Sequence, residues 1–282
     1  MFRDFMSTYD IFDKNGSSNP LFETLRLFDL LTNGKTKEVL SLSGREVIDI
    51  EAIARERQKG QPMEYILGRA TFMGSSFYCS SGALIPTEET SLLVMTAYNI
   101  INERLQAGLG AQSIIEIGTG CGNIAVSLAQ LCDNNVAILA SDVSSDAVDI
   151  ARKNVHKFGA QEKVSLFCGD LFEPFKDYAG KTDVVICNPP YIPTSSLKKL
   201  SAEIIDYEPI VALDGGPYGI NIFRKLMNGS LTVLKSGGVL VFEIGEGQEN
   251  LIGRLFEKNT AYNEITHLKY GEHIRVISAV KK

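Results

Sequence analysis

The nine residues from Asp183 to Tyr191 constrain this chain most, because an apolar run ends there in two prolines. The apolar part, residues 184–186, consists of strand formers, and a short run bounded by a turn signal fits a buried strand of a parallel sheet. Proline has no N–H for the ladder, so the strand must end at Asn188. Ligands of open α/β sheets bind beyond the carboxyl ends of the strands. The sequence therefore predicts that residues 188–191 form a rigid loop at a binding crevice.

The residues of this loop, Asn188, Pro189, Pro190 and Tyr191, carry a specific chemistry. The Asn188 side-chain carbonyl and the backbone carbonyl of Pro189 are two acceptors without competing donors. Such a pair suits a planar NH2 group whose two protons must be held, and the Tyr191 ring offers a flat face for packing that group. A tight surface turn is the alternative, since Asn-Pro is a common turn pair.

Composition argues against several classes of protein. The chain has 282 residues, a formal net charge of −6 and no dense Lys/Arg run, which argues against non-specific binding of nucleic acid. No apolar run approaches the length of a membrane span, and the first residues carry no secretory signal. The cysteines and histidines lack metal-ligand spacing, so we expect reduced, mostly buried thiols, no metal and a cytoplasmic location. The five cysteines are Cys79, Cys121, Cys132, Cys168 and Cys187.

The first 60 residues read as a small helical domain, to which we assign substrate recognition. Asn19 is a predicted helix cap with Pro20 in the first turn, and residues 43–46, Ser-Gly-Arg-Glu, form a capping box for a second helix. The apolar residues at helical spacing on the first of these helices are Leu21, Phe22, Leu25, Phe28 and Leu31.

Two further domain segments follow. Aromatic and aliphatic pieces broken by glycines between Tyr65 and Ile85 predict a β-hairpin linker over residues 61–86. Thr87 is the predicted cap of a long helix that reaches Gln106. Strand and helix patterns then alternate, which predicts a doubly wound, mostly parallel α/β sheet of seven strands within residues 87–282. The predicted strands are 114–117, 136–140, 164–167, 183–187, 239–244 and two pieces in 263–280. The predicted helices are 123–131, 144–158, 219–234 and 249–258, with a long loop before 219.

A glycine-rich loop, residues 116–122 reading Glu-Ile-Gly-Thr-Gly-Cys-Gly, joins the first strand of this sheet to its helix. Its glycines allow a sharp turn and a close approach to a ligand. Asn123 stands where the dinucleotide fingerprint would need its third glycine, which argues against NAD. Asp142 ends the next strand and suits the hydroxyls of a ribose, whereas Asp170 and Leu171 suit an adenine. Each acid alone fits a cap or a turn, but together they predict a nucleoside pocket without a phosphate clamp, as S-adenosylmethionine needs.

In this order, the glycine loop, the two acids and the Asn-Pro-Pro-Tyr loop resemble those of class I S-adenosylmethionine-dependent methyltransferases. The chain resembles most closely the release-factor glutamine methyltransferases, the HemK/PrmC family. The similarity extends from about residue 20 to the C-terminus. It includes residues 60–68, Phe72 and 84–86 in the linker, and residues 207–209, 212–213, 215–216 and 219 after the loop. Asn-Pro-Pro-Tyr alone is shared with enzymes that methylate adenine in DNA.

The resemblance implies methyl transfer from S-adenosylmethionine to a glutamine side-chain amide, in the Gly-Gly-Gln motif of peptide chain release factors, with S-adenosylhomocysteine as product. It implies that Asp142 holds the ribose, that the Asp170–Leu171 turn holds the adenine and that Asn188 lines the junction with the substrate. Residues 189–191 would surround the glutamine side chain, and Asn188, Pro189 and Tyr191 would be catalytic. The implied cofactor-binding residues of the glycine loop are Glu116, Gly118, Thr119, Gly120, Cys121 and Gly122.

One segment departs from the family pattern. After Ile-Pro the family usually has Arg, Pro, an acid, Thr and Glu, whereas residues 87–91 read Thr-Glu-Glu-Thr-Ser. A basic residue and a final glutamate are therefore missing beside the predicted pocket. Leu171 also replaces an aromatic residue found in some members.

Three other functions stay open. They are glutamine methylation of another protein such as a ribosomal protein, methylation of the adenine amino group in nucleic acid, and non-catalytic binding of the cofactor. The acidic charge and the lack of an evident basic recognition domain count against nucleic acid. The intact loop at 188–191 counts against a non-catalytic protein. We expect a monomer with release factors as protein substrates, without direct nucleic acid binding and without a membrane partner.

Overall fold

A computed structural model describes residues 2–32, 50–133 and 135–282. Its N-terminal part contains the helices α1 (Phe2–Lys14), α2 (Pro20–Thr32) and α3 (Ile50–Gln58). The predicted cap of α2 is confirmed, since the Asn19 side-chain Oδ1 accepts a hydrogen bond from the backbone N–H of Phe22 at 3.1 Å. The predicted capping box at residues 43–46 lies outside the described residues.

The buried face of α2 differs from the predicted one. Leu27 and Leu30 pack against Phe12 of α1 and Ile53 of α3 in a small core. Three of the apolar residues expected on that face are instead about half exposed, namely Leu21, Phe22 and Leu25. Helical spacing defines a stripe of residues, but several stripes of this leucine-rich helix were available, and packing against α1 and α3 selected another.

The linker begins with a short helix that the sequence did not predict. Residues Met63–Leu67 form α4, which follows Pro62 and ends at Gly68 with φ of +66°. The hairpin comes after it, with β1 (Arg69–Phe72) antiparallel to β2 (Ser75–Tyr78). The expectation that the hairpin pattern begins at Tyr65 was therefore wrong. Pro62 supplies a φ that suits the start of a helix, and Gly68, in the left-handed conformation, ends α4 after little more than one turn.

The long helix after the linker, α5 (Thr90–Gln106), begins two residues later than predicted. Thr87 does not cap it, since Glu89 occupies the cap position and the Thr87 hydroxyl lies 3.1 Å from the hydroxyl of Thr90. Residues 87–92 form tight turns with backbone N–H groups bonded to the carbonyl three positions earlier. Turns of that kind often precede an α-helix and carry no separate sequence signature.

The predicted seven-stranded sheet is confirmed. Its strand order is β5-β4-β3-β6-β7-β9-β8, and among the described strands β9 alone runs antiparallel to the others. The strands are β3 (Gln112–Ile117), β4 (Val136–Asp142), β5 (Val164–Cys168), β6 (Thr182–Cys187), β7 (Leu234–Glu243), β8 (Tyr262–Tyr270) and β9 (His273–Lys281). Because the chain leaves β3 toward β4 and later returns to its other side as β6, the strand order reverses between β3 and β6. Ligand crevices of open α/β sheets form at such a switch point.

Helices cover both faces of the sheet. One core contains α5, α6 (Asn123–Leu131) and α7 (Ser145–Lys157), and the other contains α10 (Asn221–Val233) and α11 (Glu249–Lys258). Neighbouring strand residues alternate between these cores, as Ile114 and Ile115 do. Every residue of β6 is buried, which fits its continuous apolar run. None of the helices that the structure describes is long and apolar enough to cross a membrane.

The segment between β6 and α10 is more structured than the predicted long loop. It contains the short helices α8 (Thr194–Leu197) and α9 (Ala202–Tyr207). Glu203 of α9 lies within ion-pair distance of Arg57 and of Arg26, at 3.1 and 3.7 Å, and the Tyr207 hydroxyl donates to the carbonyl of Lys59 at 3.1 Å. The segment that follows the Asn-Pro-Pro-Tyr loop is thereby joined to the N-terminal helices.

Candidate active site

A cavity of about 350 Å³ opens at the carboxyl ends of β3, β4, β5 and β6. The linker residues 82–87 form one wall and residues 209, 211 and 212 contribute to another. Nine of the residues predicted for the site line it, namely Gly118, Thr119, Gly120, Asp142, Asp170, Leu171, Asn188, Pro189 and Pro190. Strand ends that are far apart in the sequence therefore meet at one crevice, as the predicted sheet requires.

The glycine loop turns sharply above β3. Gly118, Gly120 and Gly122 have φ of +73°, +55° and +82°, which favours glycine at each position. Gly118 and Gly120 line the cavity. Gly122 lies behind them, where an added Cβ would come within 3.1 Å of the Ala151 side chain. The third glycine therefore allows α6 and α7 to pack closely.

Cys121 also lies behind the cavity wall, fully buried. Its backbone carbonyl accepts a hydrogen bond from Nδ2 of Asn154 at 2.8 Å. The same Asn154 side chain donates to the carbonyl of Tyr78 at 3.0 Å and accepts from the Tyr78 N–H at 2.7 Å. One side chain of α7 thus holds both the glycine loop and the hairpin of the linker.

Glu116 is the last but one residue of β3 and is completely buried beneath the glycine loop. Neither of its carboxyl oxygens has a hydrogen-bond partner in the described part of the chain, and the same holds for the hydroxyls of Thr119 and Ser141. Burial raises the pKa of Glu116 to about 8; the nearby Thr119 hydroxyl opposes the rise, and the charge of Asp142 adds to it. Thr119 and Ser141 line the cavity, whereas Glu116 lies behind it, so the cluster fits a ligand at the cavity that brings hydrogen-bond donors or a positive charge.

Asp142 ends β4 and is held by two backbone groups. Its Oδ2 accepts from the Gly120 N–H and its Oδ1 accepts from the Ser144 N–H, each at 2.9 Å. A carboxylate has about four acceptor positions, so each oxygen keeps one for a ligand hydroxyl. The carboxylate is oriented before any ligand binds.

The turn after β5 brings Asp170 and Leu171 to the cavity wall. Leu171 has φ of +47°, a conformation that side chains other than glycine rarely adopt. The Gly169 N–H donates to the Asp142 carbonyl at 2.9 Å, and the Glu173 N–H donates to the Asp170 carbonyl at 3.0 Å. These bonds join the ends of β4 and β5 and fix the strained turn.

Asn188 follows β6 and lies at the junction between the glycine loop and the Asn-Pro-Pro-Tyr loop. Its Nδ2 donates to the hydroxyl of Thr90 at 3.1 Å. Its Oδ1 accepts no hydrogen bond from the described part of the chain, and the residue lines the cavity. The amide thus offers its acceptor to a ligand while its donor is engaged with the protein.

Tyr191 does not line the cavity. Its ring lies under the guanidinium of Arg275, 5.8 Å from the ring centroid, and its hydroxyl accepts from Nη2 of Arg275 at 3.2 Å. Burial, followed by the charge of Glu243, raises the pKa of Tyr191. In the structure the tyrosine supports the loop from behind rather than presenting its face to the cavity.

Sequence reasoning missed several residues that shape the site. Thr90 donates to Glu243 Oε2 at 2.8 Å, and Arg275 bonds to Glu243 Oε1 at 3.3 Å and to Glu89 at 2.6 Å. Burial raises the pKa of Glu243, whereas the bonds from Thr90 and Arg275 oppose the rise. Charged residues inside predicted strands were the available signal, since Glu243 and Arg275 interrupt apolar runs of β7 and β9.

Comparisons with known proteins agree with this geometry. Residues 96–207 match the family model of the methyltransferase small domain. The release factor glutamine methyltransferase of Rhodopirellula baltica is 31% identical, over 97% of this chain and 94% of that protein. The enzyme of the same name from Clostridium acetobutylicum is 32% identical, over 80% of this chain and 77% of its own length.

Solved structures share the fold at low identity. The catalytic domain of hMettl16 in complex with MAT2A 3'UTR hairpin 1 has a TM-score of 0.59 and 16% identity, covering 91% of this chain and 90% of that one. A methyltransferase from Pyrococcus furiosus has a TM-score of 0.51 and 20% identity, covering 74% and 90%. These likenesses show a methyltransferase fold. The sequence identity of 31–32% with the two enzymes above extends over most of both proteins. The chain therefore belongs to the family of the release factor glutamine methyltransferases.

Proposed function

We propose that this protein transfers a methyl group from S-adenosylmethionine to the side-chain amide nitrogen of a glutamine, the Gly-Gly-Gln glutamine of peptide chain release factors. The family relation supports the reaction and the substrate. The observation that carries the proposal is the unpartnered Oδ1 of Asn188, which lies in a cavity shared with the glycine loop. A hydrogen-bond acceptor there suits an amide NH2 brought next to the cofactor.

The residues present fit S-adenosylmethionine. The backbone of Gly118 and Gly120 allows a close approach, and the unpartnered Thr119 hydroxyl, with the buried Glu116 behind the cavity wall, suits the ammonium of its methionine part. The free acceptor positions of Asp142 suit the ribose hydroxyls, and the Asp170–Leu171 turn suits the adenine. Cys121 and Gly122 hold the loop in place. Together these residues suit a nucleoside, as the acids at the ends of β4 and β5 also predict from the sequence.

An amide nitrogen is a weak nucleophile, because its lone pair is delocalised into the carbonyl. S-adenosylmethionine, when bound, supplies a methyl group activated by a sulfonium. The protein therefore has to orient the amide nitrogen rather than to activate it. Asn188 Oδ1 accepts a hydrogen bond from one N–H of the glutamine amide, and the Pro189 carbonyl accepts a hydrogen bond from the other. Precise orientation of this kind contributes up to about 7–11 kcal/mol in favourable cases. The surplus proton of the product leaves late, through Asn188 or solvent.

Pro190 and Tyr191 have supporting roles in this proposal. Pro190 lines the cavity, where it can contact the glutamine side chain. Tyr191 fixes the loop through Arg275. We further propose that the N-terminal helices recognise the release factor, because Arg26 and Arg57 of those helices lie against Glu203 in the segment that borders the cavity.

The test uses the purified protein, S-adenosylmethionine with a labelled methyl group, and a bacterial release factor that carries Gly-Gly-Gln. A second reaction replaces that glutamine by alanine. The expected result is label in the wild-type factor and none in the alanine factor. Asn188→Ala should lower kcat strongly, to a residual rate that single-turnover measurement still detects, while cofactor binding, measured by calorimetry, stays close to the wild type. Label in the alanine factor, or normal turnover of Asn188→Ala, would contradict the proposal.

A further inference from the structure

Thr90, the first residue of α5, is buried beside the Asn-Pro-Pro-Tyr loop and has three polar neighbours. Its hydroxyl oxygen lies 2.8 Å from Oε2 of Glu243, 3.1 Å from Nδ2 of Asn188 and 3.1 Å from the hydroxyl of Thr87. These distances are all within hydrogen-bond range. A hydroxyl has one proton and two lone pairs, so three contacts are the most that it can satisfy.

The direction of each contact follows from counting protons. Burial raises the pKa of Glu243, and Arg275 Nη2, 3.3 Å from Oε1, together with the Thr90 hydroxyl opposes that rise and favours the charged carboxylate. A charged carboxylate only accepts, so the single proton of Thr90 goes to Glu243. The two lone pairs of Thr90 then accept from the Thr87 hydroxyl and from an NH of Asn188. With Glu243 charged, no other assignment satisfies all four groups.

This count decides which way the amide of Asn188 faces. An amide side chain keeps its shape when it is turned over, so only hydrogen-bond partners distinguish its oxygen from its nitrogen. Because Thr90 has no proton left to give, it can hold only the NH2 end of Asn188. The oxygen must therefore face the cavity.

We propose that Thr90, supported by Glu243 and Thr87, is a positioning residue that fixes the Asn188 amide with Oδ1 toward the substrate. This inference rests on the proposed role of Asn188 as the acceptor for the glutamine NH2. A turned amide would point its own NH2 at the substrate NH2, and two donors repel each other. Thr87 belongs to the segment 87–91 that departs from the family pattern. In this proposal its hydroxyl donates a hydrogen bond to Thr90 and so supports the orientation of Asn188.

The central test compares Thr90→Val, which keeps the shape and removes the hydroxyl, with Thr90→Ser, which keeps the hydroxyl. Methyl transfer to the release factor gives kcat and KM, and calorimetry gives the Kd of S-adenosylmethionine. We expect kcat of Thr90→Val to fall about 10–100-fold, because the acceptor is no longer held in the productive orientation. The Kd should stay within about twofold, and Thr90→Ser should recover most of the lost kcat.

Thr96→Val is the matched control. Thr96 is a buried threonine of the same helix, and its hydroxyl donates to the Leu92 carbonyl at 2.7 Å, away from Asn188. Its loss controls for any general effect of removing a hydroxyl from α5. We expect its kcat to remain within about twofold of the wild type.

A double-mutant cycle asks whether Thr90 acts through Asn188. In the Asn188→Ala background, Thr90→Val should have no further effect on kcat beyond about twofold. A full additional loss in that background would show that Thr90 acts independently of the amide, and would overturn the inference. Equal losses in Thr90→Val and Thr90→Ser would also overturn it, since the serine keeps the hydroxyl.

A readout on the protein alone separates this inference from the proposed function. Side-chain amide resonances of 15N-labelled protein are recorded by NMR, and the Asn188 pair is assigned by its loss in Asn188→Ala. We expect one of its protons to show the downfield shift and slow exchange of a hydrogen bond in the wild type and in Thr90→Ser, and to lose both in Thr90→Val. An unchanged pair in Thr90→Val would contradict the inference. A wild type that shows this signature but labels no release factor would contradict only the proposed function.

Discussion

Gln248 donates a hydrogen bond from Nε2 to the carbonyl oxygen of Tyr191 across 2.9 Å, and so holds the end of the Asn-Pro-Pro-Tyr loop. Its Oε1 accepts from the Gly245 N–H at 2.9 Å, and Nε2 also lies 3.3 Å from the Gly219 carbonyl. An added Cβ on Gly219 would come within 2.2 Å of the same Tyr191 oxygen. The loop is thereby held at its far end by a side chain and by a close backbone contact.

Gln248→Leu keeps most of the side-chain volume but removes these hydrogen bonds. We expect kcat to fall about tenfold, because displacement of the loop moves the substrate acceptors. The free energy of unfolding should fall by about 1–3 kcal/mol, since polar groups are left buried without partners. Steady-state kinetics and denaturant unfolding measure the two effects. Asn250→Leu, at an exposed position of the same helix, is the control; an unchanged kcat in Gln248→Leu would show that the loop does not need this support.

Asn154→Asp tests the bridge between the linker hairpin and the glycine loop. The aspartate keeps an acceptor for the Tyr78 N–H but has no NH2 for the carbonyls of Tyr78 and Cys121. We expect the Kd of S-adenosylmethionine to rise about tenfold, equivalent to about 1.4 kcal/mol, as the glycine loop loses its hold. Calorimetry measures the Kd, with Lys153→Ala at an exposed neighbouring position as control. Unaltered affinity would mean that the loop keeps its conformation without the bridge.

Glu116 predicts a pH dependence of stability. Its pKa is raised by burial from 4.5 to about 8, so the folded protein holds a proton there that the unfolded chain releases above about pH 4.5. The wild type without cofactor should therefore lose stability as the pH rises from about 5 to 8, by up to about 1.4 kcal/mol per pH unit from this residue.

Glu116→Gln has no such proton, so its stability should depend less on pH across that window. Other titrating groups are shared by both proteins and cancel in the difference. Denaturant midpoints at several pH values measure it, with the exposed Glu162→Gln as control. Parallel curves for the wild type and Glu116→Gln would exclude a raised pKa at this position.

Asp183→Asn tests the other end of β6. The buried carboxylate accepts from the Ser113 N–H at 2.9 Å and pairs with Lys235 and Arg104 at 2.8 and 3.2 Å. Loss of its charge leaves the mostly buried Arg104 without its charged partner, although Gln112 and the Gly237 carbonyl still accept from it; breaking a buried pair costs about 3–5 kcal/mol. Lys235 is partly exposed, so we expect the free energy of unfolding to fall by an amount near the lower end of that range.

The same change should leave kcat near normal at low temperature, because Asp183 lies near the start of β6 and Asn188 follows its other end. Denaturant unfolding and kinetics are the measurements, and Asp177→Asn at an exposed position is the control. A large fall in kcat without loss of stability would contradict the prediction that Asp183 stabilises the fold and does not affect the reaction.

The sequence predicts the sheet well because its central strands are buried on both faces. A run such as residues 184–186 is apolar throughout, and such a run between turn signals has few other interpretations. The glycine loop and the strand-end acids lie at the cavity for the same reason, since parallel strands end at one edge. Local pattern fixes these features, so they can be read without knowledge of distant contacts.

Features that depend on contacts between residues far apart in the sequence cannot be predicted from local patterns. Thr90 and Glu243 are separated by 153 positions, and only the folded sheet brings their side chains together. The exposed face of α2 and the position of Tyr191 behind the loop were likewise decided by packing partners. The short helices α8 and α9 have four and six residues, too few for a periodic pattern to show.

The two acceptors at the start of the Asn-Pro-Pro-Tyr loop have a consequence for how the reaction ends. In the proposed arrangement, Asn188 and Pro189 together take both protons of a primary amide. A singly methylated amide has only one N–H, so one acceptor would face a methyl group instead of a donor. Under this proposal the site favours the unmodified glutamine over its own product, and we expect the reaction to be self-limiting, ending after one methyl group with release of the modified factor.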